Sequence, residues 1–108
     1  MALHSNVLID TGQAASNLLV STGTGVAVTT MYFCNRNPAS AAVAFNLYLV
    51  KAGFQANSNN LVYFNKTIAS NDTYIVDWEK LVLDTGDTIR ANANVGNAIV
   101  SVISTIGV

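Results

Sequence analysis

Apolar and polar residues alternate with a period of two along much of this 108-residue chain, a pattern that predicts β-strands. The clearest row runs from Val43 to Val50, with Val43, Phe45, Leu47 and Leu49 on one face and Ala44, Asn46, Tyr48 and Val50 on the other. The Phe45 face is the expected core face. The stretch around which the rest is organised is Leu81 to Arg90, two apolar runs joined by Asp84-Thr85-Gly86-Asp87. Asp84 can bond its own backbone two residues on and Gly86 can take a positive φ, so the segment reads as a β-hairpin. Leu81 and Leu83 share a face of the incoming strand. On the outgoing strand Ile89, Ala91, Ala93 and Val95 alternate with Arg90, Asn92 and Asn94, so one face is expected to be buried and the other wet.

Other segments repeat the pattern. Val26 to Cys34 is rich in β-branched and aromatic residues, with Ala27, Met31 and Phe33 on one parity and Val26, Val28, Tyr32 and Cys34 on the other, as in a central strand. Leu61 to Ala69 and Thr73 to Trp78 are strands around a Ser70-Asn71-Asp72 turn, and Glu79-Lys80 is a place for one helical turn. Ala98 to Ile106 is a last strand apolar on both faces, which calls for a cover. Asn6 to Ile9 and Leu18 to Ser21 are shorter candidates. Pro38 marks Asn35 to Ser40 as a loop, and the Asn-rich Ala52 to Asn60 stretch reads as the least constrained and most exposed projection. Seven to eight strands without a helical period of ten residues predict an all-β fold: an antiparallel two-layer β-sandwich, Greek-key or jelly-roll-like. The expected organisation is a single domain over residues 18–108, preceded by residues 1–17 as an N-terminal arm or edge strand. An arm predicts that truncating residues 1–9 weakens binding to a partner more than it destabilises the domain.

Composition changes the picture in one respect. Charged residues make up 10% of the chain against about 25% in an ordinary domain, while 51% of residues are apolar. That surplus points to burial against other copies or other proteins. The net charge of −1 carries no nucleic-acid footprint, and no apolar run is long enough for a transmembrane helix. The start lacks a signal-peptide pattern, and one cysteine, Cys34, excludes an internal disulfide, which fits folding in a reducing cytoplasm.

Chemistry is sparse. His4 is the one histidine and sits in a segment expected to be mobile; Cys34 is read as a buried, inert thiol; Asp84 and Asp87 are turn carboxylates. Asp77 and Glu79 are too isolated for general acid/base work, and Gly23-Thr24-Gly25 precedes a strand where a phosphate loop would precede a helix. No enzyme activity, metal or cofactor is expected. Candidate interface residues are the apolar positions of the first segment, Leu3, Val7, Leu8 and Ile9, the aromatics Phe54 and Trp78, and Ile106 near the end of the last strand.

Four segments taken together, Thr24 to Asn35, Phe45 to Val50, Leu83 to Ile89 and Val100 to Ser104, resemble the small β-sandwich structural proteins of tailed-bacteriophage virions. The shared order is a strand ending in a Cys-Asn corner, a long loop, a Leu-x-x-Gly-Asp-x-Ile hairpin and a Val-rich closing strand, and it spans residues 18–104. A Gly-Asp turn of this kind also occurs in tumour-necrosis-factor-like jelly rolls. The resemblance implies a capsid decoration or cement protein on the capsid surface, binding major capsid protein or other virion proteins at subunit junctions, with a homotrimer favoured. The alternative it leaves open is a tail or neck component, a glycan- or receptor-binding module using the Ala52 to Asn60 loop.

Overall fold

The computed structural model describes residues 2–8, 16–37, 39, 41–77 and 81–107. Among these, nine strands form: β1 (Ala2–Val7), β2 (Ser16–Val20), β3 (Val26–Asn35), β4 (Val43–Val50), β5 (Leu61–Ile68), β6 (Thr73–Val76), β7 (Leu81–Leu83), β8 (Thr88–Ala93) and β9 (Ile99–Gly107). They make two antiparallel sheets packed face to face, one ordered β1-β9-β3-β6 with β7 also on β3, the other β2-β8-β4-β5. β6 pairs with Met31 to Cys34 and β7 with Val26 to Val28, so the two occupy successive lengths of the same side of β3. With β6 and β7 filling one position, the strand order is that of a jelly roll. The all-β sandwich expectation holds, and the strand order chooses the jelly-roll alternative.

The core lies between the sheets. Phe33 of β3 stacks on Phe45 of β4 with ring centroids 4.6 Å apart, and both rings are fully buried. Val43, Phe45 and Leu47 form the buried row of β4, with Leu49 half-buried at its end, as the alternation predicts. In β3 the parity changes. A bulge between Val28 and Thr30 puts Val28, Met31 and Phe33 into the core and leaves Ala27 paired with Val82 and Ile106. A second bulge, in β2, lets the successive residues Leu18 and Leu19 both be buried.

β9 is the spine of its sheet, flanked by β1 and β3. The cover that its two apolar faces call for comes from the opposite sheet for Ile99 and Ile103, which are fully buried. Of the two readings of the N-terminal segment, residues 2–7 adopt the edge strand. β1 pairs with β9 from Ala2↔Thr105 to Val7↔Val100, Asn6 Nδ2 donates to Leu18 O across the two sheets at 2.9 Å, and Leu8 has no exposed surface. His4 is therefore half-buried in a strand, its Nε2 3.3 Å from Thr105 Oγ1, and not in a loose tail.

The hairpin expected at Leu81 to Arg90 does not form. β7 pairs with β3 in one sheet, whereas β8 pairs with β2 and β4 in the other. The Asp84 to Asp87 turn is a corner that carries the chain between layers. Gly86 has φ of +90°, as expected, but the side-chain bonds come from Asp87: its carboxylate accepts the amides of Asp84 and Ala52, each at 3.0 Å. Ser21 clamps the corner from the other side, exchanging backbone bonds with Gly86 and Asp87 at 2.9 Å and donating its hydroxyl to Leu83 O at 3.1 Å. Nor is β8 wet on one face, because Asn92 is buried with its amide bonded to Asn46 at 2.7 Å.

Candidate interaction surfaces

The two outer faces of the sandwich differ. On the β2-β8-β4-β5 sheet the outer face is partly covered: Tyr48 and Val50 are buried beneath Ala56 and Leu61, and the Asn46–Asn92 pair and Arg90 supply polar groups beside them. On the β1-β9-β3 sheet the registers align outward-facing residues in cross-strand rows. Val7, Val100, Cys34 and Thr73 form one; Ser5, Val102, Tyr32 and Ile75 the next; Leu3, Ser104 and Thr30 a third; Ile106, Ala27 and Val82 a fourth. None of these strand residues carries a charge. Ile75 is 52% exposed, Val82 57% and Leu3 71%, with Tyr32 and Ile106 also exposed. Isolated exposed apolar residues are ordinary, but a contiguous set on one sheet face is the usual mark of an interaction site.

A second feature lies on the loop between β4 and β5. A cleft of about 340 Å³ is lined by Leu49, Lys51, Phe54, Asn57, Asn59 and Asn60. The loop is exposed but not loosely held. Phe54 N bonds Lys51 O at 3.0 Å, Leu49 N bonds Asn60 O at 3.0 Å, and the Asn57 and Asn60 amides both donate to Gln55 O. Sequence alone marks this stretch as the least constrained of the chain. What constrains it is amide side chains bonding back to the main chain.

The expected interface residues separate in the structure. Leu3 and Ile106 are exposed on the uncharged face and Val7 is half-buried there; Phe54 is exposed at the loop cleft. Leu8 is a correction, since it points into the core and has no surface to offer. Ile9 and Trp78 lie outside the described residues, as do Glu79 of the Asp77–Glu79 pair and the Glu79-Lys80 turn. Cys34 is half-buried on the outer face and not enclosed in the core. Sequence reasoning missed Tyr32, Ile75, Val82, Val100 and Val102 as surface. The signal was present in the second apolar parity of β3 and β9, but it took the registers to place both on one face.

Among the described residues no cluster of three or more His, Cys, Asp or Glu side chains is placed to hold a metal ion, and no helix is long and apolar enough to cross a membrane. The fold defines the class as a jelly-roll β-sandwich. Comparison with protein-family models found no match, and comparisons with curated proteins and with solved structures found no significant one either.

Proposed function

We propose that this protein is a non-enzymatic structural component of a virion, of the capsid-decoration or cement type, which docks through the outer face of its β1-β9-β3 sheet. The supporting observation is that face itself: four cross-strand rows without a charged residue, rich in Val, Ile and Leu, in a chain with 10% charged residues. Such a face has little electrostatic desolvation to overcome when it meets another protein, and its exposed apolar side chains gain roughly 25 cal/mol for each Å² they bury. Jelly rolls serve in viral capsids and in lectins, and the fold by itself selects neither. The phage-virion reading comes from the sequence resemblance; the uncharged apolar face is the physical means by which such a protein would add buried area at a subunit junction.

The test is copy number together with association state. Quantitative mass spectrometry of purified virions is expected to find the chain in hundreds of copies, and light scattering of the isolated protein to find a homo-oligomer. Ile75→Lys, which puts a charge at the exposed β6 end of the Ser5, Val102, Tyr32 and Ile75 row, is expected to weaken association strongly while leaving the β-sandwich spectrum unchanged. Association undiminished by Ile75→Lys, or absence of the chain from particles, would overturn the proposal.

A further inference from the structure

We infer that the cleft on the β4–β5 loop is a binding site for an acidic saccharide, one hexuronate or similar carboxylate-bearing sugar ring at a time. The site is on the other sheet from the uncharged face, and the inference does not depend on what that face docks against.

The cleft volume of about 340 Å³ sits at the lower end of the range for small-molecule pockets, roughly 300–1,000 Å³, and suits a sugar ring better than a large ligand. Its frame is already ordered. Asn57 accepts the Asn59 amide at 2.8 Å and gives its own Nδ2 to Gln55 O at 3.1 Å; Asn60 accepts the Asn57 amide at 2.9 Å and gives Nδ2 to Gln55 O at 2.8 Å. Behind them, Ala52 N is tied to Asp87, and Ala56 packs on the Tyr48 and Val50 cluster. A ligand entering here has little loop entropy to overcome.

On that frame the loop holds Phe54 out in water with 64% of its surface exposed, although the turn before it is built by Gly53 at φ of +81° and a Phe54 N to Lys51 O bond. An apolar ring carried by an ordered loop is a platform for the apolar face of a sugar, whose C–H groups it covers. Polar valences surround it. Asn57 and Asn60 each retain one amide N–H after their loop bonds, and the Asn59 side chain makes no hydrogen bond among the described residues. These groups suit hydroxyls, which both donate and accept.

Charge selects the sugar class. Lys51 is the one charged side chain lining the cleft. Asp87 shares an adjacent pocket with Lys51 but does not line this cleft; its charged carboxylate is turned to the amides of Ala52 and Asp84. A lone ammonium beside an aromatic platform and neutral amides favours a ring bearing a carboxylate, because a charge-assisted bond adds to the hydroxyl contacts.

The experiment is an NMR titration of the full chain with trigalacturonate and sialyllactose, beside galactotriose and lactose as neutral counterparts. At least one acidic sugar is expected to saturate shifts of the loop amides, with its neutral counterpart roughly tenfold weaker, a difference of about 1.4 kcal/mol. Phe54→Ala is expected to weaken acidic-sugar binding roughly tenfold or more, Lys51→Gln to bring it to the neutral sugar's level, and Lys51→Arg to preserve it. Amide spectra outside the loop report that each variant stays folded. No saturation by either acidic sugar at about 20 mM, equal binding of neutral sugars, or binding unaffected by Phe54→Ala would overturn the inference.

Discussion

Leu83 and Thr88 are five positions apart in the chain and belong to opposite sheets: Leu83 pairs with Val26 of β3, Thr88 with Val50 of β4. The corner between them therefore has to hold two layers in register. Gly86 meets that need with φ of +90°, and a Cβ built on it would lie 2.9 Å from Ala52 Cβ. Gly86→Ala is expected to destabilise the fold by about 1–3 kcal/mol through backbone strain and this contact. Urea unfolding measures it. Adding Ala52→Gly should recover only part of the loss, since it relieves the contact and leaves the φ strain.

The same corner depends on the Asp87 carboxylate, which accepts two backbone amides. Asp87→Ala leaves the amides of Ala52 and Asp84 without that acceptor and is expected to cost about 1–3 kcal/mol, less if water replaces it, in the same assay. Hydrogen exchange at these two amides should quicken in the variant, while amides of the Phe45 row change only with global stability.

Asn35 is 1% exposed at the end of β3, with Nδ2 donating to Ala41 O at 2.9 Å and Ile68 O at 3.0 Å and Oδ1 accepting Asn37 N at 2.9 Å. Asn35→Ala is expected to cost about 2–3 kcal/mol because it orphans buried groups. Asn35→Asp should do no better at neutral pH, since it turns a carboxylate oxygen toward two carbonyls. Thermal denaturation of both variants distinguishes a donor requirement from a simple space requirement.

The first strand and the residue after it supply a contrast within six residues. Leu8→Ala is expected to cost about 2–5 kcal/mol, the range for emptying a core leucine site, whereas Leu3→Ser at the exposed face should stay within about 0.5 kcal/mol. Truncation of residues 1–8 should therefore destabilise the isolated domain, which is the opposite of what a loose arm predicts. Denaturant midpoints of the three proteins decide it.

Stacked at the centre, Phe33 and Phe45 join the two layers. Phe45→Ala is expected to cost about 3–5 kcal/mol, a large part of the stability of a small domain. Phe64→Ala, which removes a ring 71% exposed on β5, should change the unfolding midpoint little.

Period-two alternation and turn residues act over a few neighbouring positions, so the all-β class, most of the strands and the face of β4 that enters the core were legible in the sequence, while the first strand, expected from Asn6 to Ile9, runs from Ala2 to Val7. The turn at Asp84 to Asp87 was also legible as a reversal. Where each strand goes afterwards depends on long-range pairing. A Gly-bearing turn directs the chain backward without specifying whether its arms bond to each other or to strands of two different layers, so the apparent hairpin is a corner between sheets. Bulges in β2 and β3 shift parity by one residue, which moved Val28 inward and Ala27 outward against the simple alternation. Leu8 and Leu3 look alike in the sequence, yet strand pairing with β9 buries one and exposes the other. The uncharged face is likewise a property of register: its residues come from five strands scattered between Leu3 and Ile106, and only the ladder hydrogen bonds set them side by side.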